Sequence, residues 1–180
     1  MKERLVGALL WLLARQGKGA LLPWAFDRIR SLFSEEPQRY LDFLETYQNR
    51  ENWIYRFFAA HQAGGVFHEN PDRVLRILRE RSADEHDLVL EAAAHGWSDA
   101  LSGDFRGVFP EIRRLARDGN YAERRTAALA PVEYYRDGGP TPEECRAIES
   151  HWEEYEDDPR SGLRNLVETQ IRDRLVKDDD

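Results

Sequence analysis

The sequence predicts an all-α chain, folded as a short right-handed α-solenoid of about five antiparallel helix pairs. Apolar residues recur at spacings of three and four along almost the whole chain, and no window alternates with period two. Prolines and glycines fall between these patterns, where helices begin and end. Four of the prolines are spaced 34, 39 and 32 residues apart, a period typical of helical repeat arrays.

Ten amphipathic patterns follow one another along the chain. Their apolar residues fall within Leu5–Leu13, Trp24–Phe33, Tyr40–Tyr47, Trp53–His61, Val74–Leu78, Leu88–Trp97, Ile112–Ala116, Ala127–Tyr135, Cys145–Tyr155 and Leu163–Leu175. A proline precedes four of the patterns, at Pro37, Pro71, Pro110 and Pro142. Proline suits the first helical turn because its missing N–H would have no partner there. Thr141 is predicted to cap the helix after it, with Glu144 completing a capping box. Because the connections are short, neighbouring helices are expected to pair.

An internal repeat of 34 residues relates the second helix of each predicted pair. The segment Phe58–His61 aligns with Ala92–His95 at this offset, and Ala127, within Arg125–Ala128, follows Ala93 by another 34 residues. Small side chains let helix backbones approach closely, which stacked helix pairs require. The alternative is a non-repeating helical bundle whose prolines coincide by chance.

The segment Pro110–Tyr135 has the clearest repeat pattern: a proline-started helix, an Asp-Gly-Asn turn, then a helix containing Thr-Ala-Ala. On this basis the chain resembles a HEAT-like repeat protein of the armadillo type. Pro37–Gly64 and Pro71–Trp97 match less closely, and Pro142–Val176 keeps two helices without the alanine pair. The resemblance implies one repeat domain over residues 1–176, followed by an acidic tail at 177–180. It implies the fold more than any function.

Bulk composition limits the classes of partner. The chain has 26 basic and 34 acidic residues, a net charge of −8, so it is not a globally basic nucleic-acid coat. Its one cysteine, Cys145, excludes an intramolecular disulfide and a cysteine-based zinc site. The longest apolar run, Leu5–Ala14, is shorter than the ~20 residues of a membrane-spanning helix. We therefore expect a cytoplasmic protein that does not bind membranes.

Arginine is unevenly distributed, and six of the 23 arginines fall between Arg106 and Arg125. Stacking of the repeats would align several into a basic stripe, formed by Arg73, Arg76, Arg113, Arg117, Arg124 and Arg125. Such a stripe could bind phosphates or an acidic partner. The alternative is a solvated face of ion pairs. The last 60 residues carry the opposite charge, with 16 acidic and 9 basic side chains.

No pattern for catalysis, a metal or a cofactor stands out. His61 and His95 occupy matching repeat positions, so they are expected to be neighbours. The two histidines could act as a metal-binding or acid–base pair, or they could simply pack together at a helix end. Packing is favoured, because no carboxylate lies at ligand spacing beside both histidines. We predict no catalytic residue, no metal and no cofactor. Trp53, Trp97 and Tyr134 are predicted as aromatic contacts for a partner.

These observations favour a non-enzymatic scaffold that binds a protein partner on the concave face of the repeats. The alternative is a DNA-repair enzyme similar to the HEAT-like alkylpurine glycosylases, with an arginine-lined cleft. The residues available for it are Trp53, Trp97, Arg124, Arg125 and Asp118. The net negative charge disfavours nucleic acid. A role like that of HEAT-like chromophore-lyase chaperones rests on fold analogy alone.

Overall fold

A computed structural model describes residues 6–10, 22–155, 161–167 and 169, and all its regular elements are helical. Residues 6–10 are helical. Nine α-helices follow within the described ranges: α1 (Leu22–Leu32), α2 (Pro37–Gln48), α3 (Trp53–Ala63), α4 (Pro71–Ser82), α5 (Asp87–Gly103), α6 (Phe105–Asp118), α7 (Tyr121–Asp137), α8 (Pro142–Glu153) and α9 (Ser161–Val167). A 3₁₀ segment, Gly64–Glu69, extends α3. The predicted all-α class is confirmed for these residues.

Several predictions fall outside the described residues. They are the boundary at residue 176, the acidic tail 177–180, both ends of the first predicted helix and the part of the tenth beyond Val167 apart from Thr169. Within the described ranges, none of the helices is long and apolar enough to cross a bilayer.

Polar side chains fix the helix starts. Asn52, Asn70 and Asp104 each accept a backbone N–H at the beginning of α3, α4 and α6. The predicted capping box of Thr141 and Glu144 is present at α8, and Asn120 with Glu123 forms a second one at α7. Each cap satisfies N–H groups that have no partner within the helix.

One predicted helix start is wrong. Pro110 lies inside α6, which begins five residues earlier at Phe105, because Asp104 supplies the cap through its bond from Gly107 N. As a result α2, α4, α6 and α8 begin at residues 37, 71, 105 and 142, which are 34, 34 and 37 residues apart. This spacing is more regular than that of the prolines.

Two sets of helices organise the packing. We call α2, α4, α6 and α8 the first helices and α1, α3, α5, α7 and α9 the second helices. The second helices α3, α5 and α7 each pack against the first helix that precedes them, and α5 has its most extensive contacts with α3 and α7. A continuous apolar core lies between the two sets and contains Leu44, Phe58, Ile77, Trp97 and Ile112.

Candidate functional site

The second helices α3, α5 and α7 lie side by side, and small residues bring their backbones together. A Cβ atom added at Gly96 in α5 would lie 2.3 Å from the carbonyl oxygen of Ala60 in α3. A Cβ atom at Gly64 would lie 2.0 Å from the carbonyl oxygen of Gly96. Neither position has room for a larger residue. The close approach expected from the alanine-rich repeat is therefore present between α3 and α5.

His61 and His95 meet across this seam, as the 34-residue offset predicts. Their ring centroids are 4.2 Å apart, and the rings are tilted by 38°. Phe26 packs edge-on against His61 at 5.4 Å. Burial lowers the pKa of His61 to about 3, and the neighbouring His95 and Arg30 add to this effect. His61 is therefore neutral at physiological pH.

A buried amide sets the hydrogen bonding of His61. Gln62 Oε1 accepts bonds from Arg30 Nε and Tyr40 Oη, both at 3.1 Å. Its Nε2 therefore faces His61 Nδ1 at 3.2 Å and donates to it. This bond requires an unprotonated Nδ1. Burial raises the pKa of Tyr40 above its usual range, although Arg30 opposes the shift.

Acidic groups complete the cluster around the histidine pair. Asp99 lies one turn after His95, and its carboxylate is 3.9 Å from the Arg30 guanidinium. Burial raises the pKa of Asp99, and the charge of Asp137 acts in the same direction. Among the described residues, no group of three or more His, Cys, Asp or Glu side chains is placed to hold a metal ion. The described part of the chain therefore places no metal site at the histidine pair.

Two partly buried aromatic rings of α3 lie beside the histidine pair, because the ring centroids of Phe57 and His61 are 6.0 Å apart. The rings of Trp53 and Phe57 are nearly perpendicular, at 85° and 6.2 Å. His86 stacks on Trp53 at 4.5 Å with an angle of 12°. Both Trp53 and Phe57 are only partly buried, and Leu88 in the first turn of α5 is 42% exposed. Trp53 and Phe57 pack against a buried cluster that includes Val89, the residue after Leu88. We call Trp53, Phe57 and Leu88 the apolar corner.

The arginines of the predicted basic stripe have carboxylate partners on neighbouring helices. In α4, Arg73 Nε donates to Glu45 Oε1 at 2.9 Å, and Arg76 also contacts Glu45 at 2.5 Å. Arg113 in α6 pairs with Glu154, which follows α8. Glu45 consequently has a lowered pKa, chiefly because Arg73 donates to it. These arginines join successive first helices.

The remaining arginines of the stripe differ in position. Arg125 in α7 pairs with Asp87 of α5 at 2.5 Å and approaches Glu91 at 3.6 Å. Arg117 is exposed at the end of α6. Arg124 is half-buried, and its backbone carbonyl accepts a bond from Tyr155 Oη at 3.2 Å. The six side chains thus lie on both sets of helices rather than on one continuous surface.

Two of the three predicted aromatic contacts are buried. Trp97 is fully buried, and its Nε1 donates to Ser82 Oγ at 2.9 Å. Tyr134 is 5% exposed and donates to Glu144, and burial together with that carboxylate raises its pKa to about 12. Buried rings offer no surface to a partner. Of the three residues, Trp53 is the one that lies partly exposed.

Sequence reasoning missed a buried charge cluster centred on Asp84. Arg56 in α3 forms two bonds with the Asp84 carboxylate, at 2.7 and 3.0 Å, and Arg81 adds a third at 2.8 Å. The backbone N–H of His86 also donates to Asp84. Burial would raise the pKa of Asp84, but the bonds from Arg56 and His86 N lower it. No sequence signal marks this cluster, since Arg56 and Asp84 are 28 residues apart.

Comparisons of the chain with protein-family models, with curated proteins and with solved structures found no match.

Proposed function

We propose that the chain is a HEAT-like solenoid of about five helix pairs that serves as a non-enzymatic interaction module. Its partner protein binds the surface formed by the second helices, which is the concave face in this fold. The observation that carries the proposal is the apolar corner beside the paired histidines, because it combines partly exposed apolar rings with polar groups on adjacent second helices.

The distribution of arginine supports a protein partner over DNA. A duplex-binding surface needs cations that neutralise phosphates. Arg73, Arg76 and Arg113 already contact carboxylates on neighbouring helices, so a phosphate would have to displace those partners. The glycosylase alternative also draws on Trp97, whose indole is buried. If the alternative holds, duplex DNA at low salt gives a mobility shift that is lost when Arg113, Arg117, Arg124 and Arg125 are replaced together.

Site-specific photo-crosslinking tests the proposal. A photoreactive benzoyl-phenylalanine at Leu88 would place the probe on the second-helix surface, where the side chain is 42% exposed. The matched control carries the same probe at Arg114, which is 53% exposed on the first helix α6. We expect a discrete protein adduct from position 88 and none from position 114 in cells that express the chain. Equal labelling from both positions, or no adduct from position 88, contradicts the proposal.

A further inference from the structure

We propose that the segment bound on the second-helix surface is basic, with arginine side chains whose methylene stems lie on the apolar corner. This inference rests on the proposed function and specifies the chemistry of the partner. The guanidinium groups of the segment would pair with the exposed carboxylates of Glu85, Asp87 and Glu91, which flank Leu88 in the sequence. Two observations lead to it: the relative exposure of acids and arginines, and the position of the apolar residues among the acids.

On this part of the surface, carboxylates protrude and their arginine partners are recessed. Glu85 is 92% exposed, whereas Arg56, which lies 3.9 Å from it, is 12% exposed. Asp87 is 78% and Glu91 54% exposed, whereas their shared partner Arg125 is 21% exposed. An approaching segment therefore meets negative charge first, and complementary charge favours a basic partner.

The recessed arginines do not neutralise these acids fully. Arg125 is shared between Asp87 and Glu91. Arg56 is shared between Glu85 and the buried Asp84, to which it is held by two hydrogen bonds. The side chains of Glu85, Asp87 and Glu91 nevertheless remain more than half exposed. They can accept bonds from a guanidinium, which binds carboxylates through two parallel N–H groups.

The apolar corner explains why arginine fits better than a small cation. Leu88 directly follows Asp87, and Trp53 stacks on His86, which follows Glu85. Long basic side chains bury their methylene groups on apolar surface while the charged head remains at its edge. The corner thus supplies the contact for the stem, and the carboxylates supply the contact for the head.

A second group of exposed acids, on α8, provides a matched control. Glu143, Glu149 and Glu153 are also exposed acids, but they lie on a first helix away from the apolar corner. If a partner responds only to the net charge of −8, neutralising either group of acids would weaken its binding equally. If a partner docks on the apolar corner, only neutralising Glu85, Asp87 and Glu91 would weaken its binding.

The test measures binding of a fluorescein-labelled 12-residue peptide, four repeats of arginine-leucine-alanine, by fluorescence anisotropy at 150 mM salt. The face variant combines Glu85→Gln, Asp87→Asn and Glu91→Gln. The control variant combines Glu143→Gln, Glu149→Gln and Glu153→Gln, which changes the net charge by the same amount. We expect the face variant to weaken binding about tenfold and the control variant less than about twofold. Leu88→Ser, which leaves the charge unchanged, should weaken binding several-fold.

Equal weakening by the two triple variants overturns the inference, as does absence of binding or equal binding of a peptide with glutamate in place of arginine. Sequencing of the segment crosslinked at position 88 separates this inference from the proposed function. A captured segment without basic residues overturns the inference but leaves the interaction module standing. Failure to capture any segment overturns the proposed function itself.

Discussion

The first and second helices are held to their neighbours by different forces. Along the first helices, arginines reach carboxylates on the next helix, as in Arg73 with Glu45 and Arg79 with Glu111. Along the second helices α3 and α5, backbone contact at Gly96 and the ring contact of the histidine pair join the neighbours. These arginines of the first helices therefore form ion pairs with carboxylates of the same chain. The second helices also have an ion pair, between Arg125 and Asp87, but the carboxylates of Asp87 and Glu91 remain more than half exposed and lie near partly exposed apolar side chains.

Asp84, between α4 of the first helices and α5 of the second helices, has a buried carboxylate. Removing this charge should have the largest effect on stability. We expect Asp84→Asn to destabilise the fold by about 3 kcal/mol, because two arginines would lose their shared partner in a buried site. Asp42→Asn is the control, since this carboxylate also pairs with an arginine but is 69% exposed. It should cost less than about 1 kcal/mol. Urea unfolding monitored by circular dichroism measures both, and equal losses contradict the distinction between the two sites.

The second largest loss of stability is expected where the backbones of the second helices α3 and α5 approach closely. Gly96→Ala should destabilise the fold by about 2 kcal/mol, because the new methyl group would meet the Ala60 carbonyl and the helices would have to separate. Gly103→Ala, in the same helix, would meet the side chains of His68 and Phe67 at 3.1 to 3.2 Å. The exposed His68 can move and the buried Phe67 need shift by only a few tenths of an ångström, so this variant should cost less than Gly96→Ala. Thermal unfolding compares them, and a stable Gly96→Ala variant would show that the seam is loose.

The histidine pair predicts a pH dependence of stability. The folded-state pKa of His61 lies below its unfolded value, so protonation favours the unfolded chain as the pH falls below about 6.5. Between pH 7 and pH 5 this should cost about 2 kcal/mol of unfolding free energy. His61→Gln should reduce the loss, although His151, whose pKa is also lowered by burial, would retain part of it. Urea titrations at the two pH values test this, and an unchanged loss in the variant refutes it.

Local signals in the sequence predicted local structure well. Helical periodicity and the Thr141 capping box are confirmed, and the 34-residue offset placed His61 beside His95 correctly. The partners of the arginines could not be predicted, because contacts such as Arg113 with Glu154 join residues 41 positions apart. Such pairs depend on how neighbouring helices are aligned. The burial of Trp97 likewise follows from which side of α5 faces α4, which a repeat pattern alone does not determine.

Mapping the bound peptide on the protein tests most directly whether the second helices form the interaction surface. Amide chemical shifts of the isotope-labelled chain would be recorded with and without the arginine-leucine-alanine peptide. We expect the perturbed amides to cluster in residues 53–65 and 85–99, around the apolar corner. Perturbations concentrated in the first helices α2, α4, α6 or α8 would contradict this assignment.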